Sequence, residues 1–508
     1  MNKDELKRLR EIEERVAAIF LREGLNTAAV DFEIVPALRV IEGMAYDYPT
    51  NFSHWSFGRD YDRYRTIYEH TGVGIPYEQV WNLDKPRAFL AETNPFALNA
   101  TIIAHVFGHV DFFLANHFLR HARTFSDIAT EARHATRRFA RYEGKYGPEV
   151  EKTIDAAFSI RWHQSIDPLL IESGEEATRA QLLTAEEARW EAKVRQRQAM
   201  GKSMTSEEVR QHKEAMHQLE AKTPPCPTYD LLHYVMERSP KPLRHWQRDI
   251  LEVIWNQSRS LAPNRRTKLL NEGWATYWHI HVMRELASEG VISPDEHGTF
   301  NKYNAAVIRP HRKGFNPYQI GYYLFEYIAD RWDKGQFGRE YEECPDPLKR
   351  AHWDTGAGQG AAEIRQVRAA YTDQMAVRQF LTDEFIRERK LYLYATVEDP
   401  ATGDYIDVVA ERRPETIREV LLNTLTYLGT PIVRVEDGNY RGRRELYLLH
   451  EFTGYPLDEP YLKGTLEHLY FLWGRQVHLE TVEIVDPPNQ TRKVIYSYDP
   501  SSGHSRIT

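Results

Sequence analysis

The chain has 508 residues, 42% hydrophobic and 12% aromatic, which is enough for a large core and two or three domains. A formal net charge of −8 argues against a basic field that would recruit nucleic acid or an anionic membrane. Two cysteines, Cys226 and Cys344, exclude a disulfide scaffold and any Cys-rich metal site. A charged start and no apolar run near 20 residues predict a soluble, cytoplasmic protein with no membrane span.

The N-terminal part predicts helices around one aromatic loop. Residues 3–24 are amphipathic with helical spacing, and residues 30–46 fit a second helix less clearly. Residues 48–58 are aromatic and turn-rich without periodicity, which indicates a structured loop. A helix over 59–71 and a short strand over 88–92 follow.

The next helix, predicted from about Ala97 to Leu119, carries His105 and His109 in an apolar setting. Two histidines four residues apart project from one helix face about one turn apart, so both imidazoles can reach one metal ion. The alternative is two core histidines that bond to carbonyls or carboxylates. A strand followed by a His-bearing helix is also the element order of zincin metallopeptidases.

The middle of the chain is richer in charge. Residues 120–145 contain many arginines with interspersed acids, which indicates a solvated helix face. Residues 174–227 predict charged helices in an insertion within the first domain. The remaining amphipathic helices of this part are predicted at 148–160, 229–238, 242–260 and 264–286.

The helix over 264–286 supplies the second half of a candidate site in Asn271-Glu272-Gly273-Trp274-Ala275. Aminopeptidase-type gluzincins take their third zinc ligand from a Glu in a very similar local sequence. A carboxylate from a second helix would complete a His₂Glu set, and Gly273 would let helices approach closely. We therefore predict that His105, His109 and Glu272 bind Zn²⁺ with an open fourth position.

Other polar residues fall into supporting roles. His279 follows Glu272 by seven residues on the same helix face, about 10.5 Å along the axis, which is too far to share one ion. We therefore assign His279 to the surroundings of the ligands or to a substrate contact. Two histidines and one carboxylate also suit non-haem iron, so iron remains an alternative metal.

Val106 occupies the position where a standard zincin has the Glu that activates water. A base would then come from elsewhere, and Glu92 and Asp111 are the candidate catalytic residues. Asp111 lies off the ligand face, so a hydrogen bond to another histidine such as His54 is an alternative role. Different chemistry at the metal, or no catalysis, also fits a valine there.

The C-terminal part changes character. Helices are predicted at 319–333 and 373–388, followed by a hairpin over 391–409. After the hairpin, an α-β-β pattern occurs twice. We predict an α+β protein, with a mainly helical, zincin-like domain over 1–389 and a smaller α/β domain over 390–508 for binding or regulation. The repeated elements are helices 415–428 and 459–473 and strands 431–436, 445–451, 477–484 and 491–498.

Taken together, these segments resemble the SpoVR family, the stage V sporulation protein R and its non-sporulating bacterial relatives. The matching stretches are His54-Trp55-Ser56-Phe57-Gly58, Glu92-Thr93-Asn94-Pro95, Ala104 to Phe113, Thr267-Lys268 and Asn271 to His279. The resemblance implies a bacterial cytoplasmic protein connected with spore cortex (peptidoglycan) formation or, in other bacteria, with stress or stationary phase. It also implies a setting beside a PrkA-type serine kinase and a von Willebrand-type protein. The family name describes a phenotype and supplies no catalytic residue.

Two functions follow as expectations. The first is a zincin-like metal-dependent hydrolase of an amide bond in a peptide or cell-wall precursor. The second is a non-catalytic regulatory or scaffold protein that acts with the kinase system, which Val106 and the added C-terminal domain favour.

Overall fold

Two units make up the fold of this computed structural model, which describes residues 2–45, 52–70, 78–122, 128–164, 174–311, 314–399, 403–486 and 490–508. The first unit comprises Met1–Thr130 and Ser260–Leu428, and the second comprises Glu131–Arg259 and Gly429–Thr508. The predicted single boundary at 389/390 differs from this division, because the chain leaves the first unit and later returns to it. Local composition does not indicate that a later segment of the chain packs with an earlier one.

The structure is mainly helical. In chain order the helices are α1 (Lys3–Arg22), α2 (Ala37–Ala45), α3 (Trp55–His70), α4 (Phe96–Ala115), α5 (His117–Ala122), α6 (Ile128–Tyr146), α7 (Pro148–Ile160), α8 (Glu175–Ala199), α9 (Ser206–Ala221), α10 (Leu231–Arg238), α11 (His245–Arg266), α12 (Lys268–Ser288), α13 (Pro294–Val307), α14 (Pro317–Asp333), α15 (Gly338–Glu342), α16 (Pro347–Ala351), α17 (Gly360–Ala370), α18 (Asp373–Phe380), α19 (Asp383–Glu388), α20 (Pro414–Tyr427) and α21 (Glu459–Trp473).

The strands within the described residues form three sheets, so the α+β class holds. They are β1 (Asp31–Val35), β2 (Glu78–Trp81), β3 (Arg87–Ala91), β4 (Leu393–Glu398), β5 (Tyr405–Glu411), β6 (Val433–Tyr440), β7 (Glu445–His450), β8 (Val477–Asp486), β9 (Gln490–Asp499) and β10 (Gly503–Ile507). The sheet orders are β1-β3-β2, β4-β5 and β10-β9-β8-β7-β6.

Helix α1 forms where its spacing predicts it. Asn2 caps the helix and exchanges hydrogen bonds with Glu5, a capping box that satisfies first-turn N–H groups. The apolar stripe of Leu9, Ile12, Val16, Ile19 and Phe20 is buried in the core of the first unit. Removing that stripe from water stabilises the helix far more than its intrinsic propensity does.

Helix α4 is the central helix of the first unit. Every residue from Ala97 to Phe113 is buried, so the helix is surrounded by protein on all sides rather than having one face in solvent. By length and composition α4 could cross a membrane, in contrast to the expectation that no apolar run is so long, but 94% of its apolar window is buried inside the protein. Such burial is typical of a core helix.

Glycines set the distances between the helices that carry the site. A Cβ on Gly108 of α4 would lie 2.6 Å from Cα of Ala275 on α12. A Cβ on Gly273 of α12 would lie 2.3 Å from the carbonyl carbon of Gly321 on α14. Because real Cβ atoms do not approach this closely, α12 is held against both neighbours only while Gly108, Gly273 and Gly321 lack side chains.

The segment before α4 differs from the prediction in two places. Residues 30–46 are not one helix: β1 occupies the first half and α2 the second. The strand forms because β1 pairs in parallel with β3, Asp31 opposite Arg87, a partner distant in sequence. The predicted loop over 48–58 is helical from Trp55 onward, and its residues 48–51 lie outside the described residues.

The second unit is built on the five-stranded sheet, in which β7 and β8 are parallel and the other neighbours antiparallel. Four of its strands are the predicted ones, and β10 is additional. Helix α20, the first helix of the predicted repeat, belongs to the first unit, so the repeat is not one folded unit. Residues 174–227 contain α8 and α9, and neither helix has a buried residue.

Candidate metal centre

Helices α4 and α12 bring three side chains to one point in the first unit. His105 and His109 lie one turn apart on α4, with ring centroids 4.5 Å apart and the rings nearly perpendicular. Glu272 extends from α12, which packs on α4 at the contact between Gly108 and Ala275. The ligand atoms of these three residues all lie within 4.8 Å of one another.

Two of the converging atoms have no hydrogen-bond partner in the protein. His105 Nε2 and His109 Nε2 each lie 3.5 Å from Glu272 Oε2, beyond the normal range of an N–H···O hydrogen bond. His105 Nε2 and Glu272 Oε2 are buried with no hydrogen-bond partner. Burying such groups unpaired costs free energy, so the arrangement calls for a ligand.

Neighbouring side chains hold both imidazoles from behind. His109 Nδ1 lies 2.9 Å from Oδ1 of Asn271, the residue before the Glu272 ligand on α12. His105 Nδ1 lies 2.9 Å from His279 Nδ1, and His279 Nε2 lies 2.9 Å from Asn304 Oδ1 on α13. These contacts fix the ring planes and leave each Nε2 facing the carboxylate.

Burial and neighbouring charges determine the protonation of His109, His279 and Glu272. Burial lowers the pKa of His109 to about 4, with help from His105, and lowers the pKa of His279 to about 3. Burial alone would raise the pKa of Glu272, but His105 and His109 outweigh it, and the pKa falls to about 2. At neutral pH His109 and His279 are therefore neutral while the Glu272 carboxylate carries a charge.

These residues fit a divalent transition metal ion. Asn271 Oδ1 can only accept, so His109 carries its proton on Nδ1 and offers a lone pair at Nε2. Four tetrahedral ligands at 2.0–2.2 Å from zinc lie about 3.4 Å from one another, close to the 3.5 Å between each Nε2 and Oε2. The donor set, the distances from each Nε2 to Glu272 Oε2 and the unpaired atoms are all consistent with a zinc site.

Asp111, a predicted candidate base, anchors helices instead of facing this group. Its carboxylate accepts hydrogen bonds from Arg368 Nη1 at 2.8 and 2.7 Å, from Trp274 Nε1 at 2.8 Å and from two N–H groups of Asn26 at 2.7 and 3.0 Å. It is fully buried. These partners occupy the acceptor sites that the expected bond to His54 would need.

The other predicted residues are spread along the unit. Glu92 is exposed in the turn after β3, outside the three-residue group, and its N–H donates to the carbonyl of Val35. His54 is buried next to the start of α3, where its Nδ1 lies 2.7 Å from Ser56 Oγ. Val106 is fully buried in the apolar core.

Sequence reasoning missed two residues of the centre. Asn271 lies in the motif that contains Glu272 but received no role, although an amide beside a carboxylate ligand is a signal that could have been used. Asn304 has no comparable signal, because nothing in the local sequence of α13 indicates that it meets His279. Thr276 also has a buried hydroxyl without a partner, four residues after Glu272 on α12.

Comparisons with known proteins agree across the chain. The family model described as "SpoVR like protein" matches residues 3–430, and that of the "SpoVR-like C-terminal domain" matches residues 431–484. The chain is 26% identical over 487 residues to "Uncharacterized protein YcgB" of Escherichia coli (strain K12), covering 92% of this chain and 90% of that protein. No solved structure matches. The chain belongs to the SpoVR family.

Proposed function

We propose that this protein is a metalloprotein in which His105, His109 and Glu272 bind one divalent ion, with zinc as the first candidate. The observation that carries the proposal is the approach of two imidazole Nε2 atoms to one carboxylate oxygen, in a buried place where two of those atoms lack any other partner. A cation between them removes the unpaired charge of Glu272 and uses both lone pairs.

Metal analysis of the purified protein tests this proposal. Wild-type protein is expected to contain about one equivalent of zinc, and His109→Ala to lose it. His281→Ala is the matched control, because His281 lies on α12 two residues after His279 but is exposed and bonds to the carbonyl of Tyr277. Wild-type protein that takes up no metal after incubation with Zn²⁺ or Fe²⁺ would overturn the proposal.

Hydrolysis of an amide bond is the activity that we propose for the centre. A zinc ion with three protein ligands supplies a Lewis acid that polarises a carbonyl and lowers the pKa of a water molecule. β3 leads directly into α4, the same order of strand and His-bearing helix as in zincins. The sporulation setting of the family name favours a peptide or cell-wall precursor as the substrate class.

A regulatory or scaffold role with a PrkA-type serine kinase and a von Willebrand-type protein is the second candidate. Its supporting observation is the absence, in the described part of the chain, of a fourth carboxylate or histidine within the His105–His109–Glu272 group. Val106 is buried and apolar, and Asp111 is committed to Arg368. Neither Val106 nor Asp111 can therefore serve as the general base of a standard zincin.

Two measurements separate these candidates. Release of amines from a panel of peptides and peptidoglycan fragments is expected for the hydrolase, with loss in Glu272→Ala and retention in His281→Ala. Zinc-loaded protein that leaves the panel intact but co-elutes with the purified kinase would favour the regulatory role.

A further inference from the structure

Three side chains from three helices form a line that ends at the candidate metal centre. His105 Nδ1 on α4 lies 2.9 Å from His279 Nδ1 on α12. The opposite nitrogen of the same ring, His279 Nε2, lies 2.9 Å from Asn304 Oδ1 on α13. Both distances are those of good hydrogen bonds, so each contact must contain one proton.

The chemistry of Asn304 determines where those protons lie. Its Oδ1 can only accept, so the proton of that contact is on His279 Nε2. A neutral imidazole has one N–H, and His279 Nδ1 is therefore an acceptor. His105 Nδ1 must then be the donor, and in a neutral His105 ring this leaves Nε2 without a proton and with its lone pair directed at Glu272.

The opposite arrangement fails at Asn304. If His279 donated from Nδ1, its Nε2 lone pair would face the Asn304 oxygen at 2.9 Å with no proton between them. His105 would then carry its proton on Nε2, where it would block a metal ion and meet Glu272 only at 3.5 Å. Burial makes such a mismatch costly: His279 is 3% exposed, and the buried ring of Phe300 packs against it at right angles.

We propose that Asn304, acting through His279, holds the proton of His105 on Nδ1 and so keeps Nε2 available to the metal. This inference rests on the proposed metal site and adds α13 to it. Asn304 and His279 are positioning residues. His109 receives the same support directly from Asn271, so each histidine ligand has an amide oxygen that determines its tautomer, one in direct contact and one through a second ring.

The zinc affinity of four proteins tests the relay: wild type, Asn304→Leu, Asn304→Asp and Asn301→Leu. Leucine is close to asparagine in size but cannot accept a hydrogen bond, so it removes the preference of His279 for one tautomer. Aspartate still accepts from His279 Nε2. Asn301 is an exposed residue of the same helix and serves as the matched control. Competition for Zn²⁺ with a coloured chelator gives the affinities.

We expect Asn304→Leu to weaken zinc binding by about 10- to 100-fold, the usual effect of losing a group that orients a ligand. Asn304→Asp should stay within a few-fold of wild type, and Asn301→Leu should be unchanged. Equal affinity of wild type and Asn304→Leu would overturn the relay while the metal site stands. Equal weakening by Leu and Asp would also overturn it, because that pattern indicates a packing role.

A spectrum of the metal-free wild type supplies a test that no folding defect in a variant can obscure. Long-range ¹H–¹⁵N correlations of histidine-labelled protein distinguish a proton on Nδ1 from one on Nε2, with His105→Gln used to assign the signal. The relay predicts His105 with its proton on Nδ1 and His279 with its proton on Nε2. A proton on Nε2 of His105 would overturn the proposal. If wild type has no zinc affinity, the proposed function fails and the relay fails with it.

Discussion

The substitution Asp111→Asn tests whether Asp111, a candidate general base from the sequence, has a structural or a catalytic role. The carboxylate of Asp111 receives five hydrogen bonds from Arg368, Trp274 and Asn26, and it joins α4 to α12, α17 and the segment after α1. Asparagine has the same shape but only one acceptor oxygen. Its NH₂ group must therefore face at least one of these donors.

The cost can be worked from burial. Asp111 is fully buried, the Arg368 side chain is 11% exposed, and the guanidinium lies over the Trp274 ring at 5.3 Å. Removing one partner of a buried ion pair leaves the other charge uncompensated and typically costs about 3–5 kcal/mol. We therefore expect Asp111→Asn to lower the free energy of unfolding by about that amount.

Urea denaturation followed by tryptophan fluorescence and far-UV circular dichroism measures this loss. Asp330→Asn is the control, because Asp330 pairs with Lys334 on the exposed face of α14 and should change stability by less than about 1 kcal/mol. Two similar shifts would refute the anchoring role. An Asp111→Asn protein of wild-type stability that binds zinc but has lost hydrolysis would restore Asp111 as a base.

Further predictions concern packing, capping, pH and metal removal. Gly273→Ala should lower the free energy of unfolding by about 1–3 kcal/mol, because the added Cβ would be about 1 Å too close to Gly321. Gly298→Ala, where α13 has open space for a Cβ, should raise the free energy of unfolding by up to about 1 kcal/mol, and urea denaturation midpoints of the two variants test the difference. Asp373→Ala should cost about 1–2 kcal/mol in the same assay, since Asp373 accepts the N–H groups of Leu269 and Leu270 where Thr267 makes no side-chain cap. Burial lowers the pKa of His109 to about 4 and of His279 to about 3, so below about pH 6.5 the unfolded chain binds more protons than the folded protein does. Metal-free protein should therefore lose stability as the pH falls from about 6.5 to 4, and a flat profile in urea titrations at different pH values would contradict this. A chelator should lower the Tm of zinc-loaded wild type and leave that of His109→Ala unchanged.

The three candidate ligands could be predicted because their signals are local. A separation of four residues places His105 and His109 on one face of a helix, independently of the rest of the fold. Glu272 was found from the residues around it. Their convergence was an expectation, since α4 and α12 are brought together by Gly108 and Ala275, positions whose contact no local pattern records.

What could not be predicted depends on partners far apart in the chain. β1 is a strand because β3 pairs with it, and within 30–46 its five residues fit a helix equally well. The role of Asp111 depends on Arg368, which follows it by 257 residues. The division into units depends on a chain that leaves the first unit after residue 130 and returns at residue 260. Periodicity and motifs contain none of this information.

The packing of α4 gives a further argument for a ligand. This helix is buried over almost its whole length, and most of its neighbours are apolar side chains of the same core. Within that core the protein keeps a carboxylate oxygen and an imidazole nitrogen without partners, at a cost that apolar residues of similar volume would avoid. In the relay proposed above, Asn271, His279 and Asn304 keep the Nε2 nitrogens of His105 and His109 unprotonated rather than satisfy them. A structural hydrogen-bond network would be arranged in the opposite way, with protons on Nε2 directed at Glu272, so the orientation of these rings favours a cation and should make the stability of this unit depend on metal.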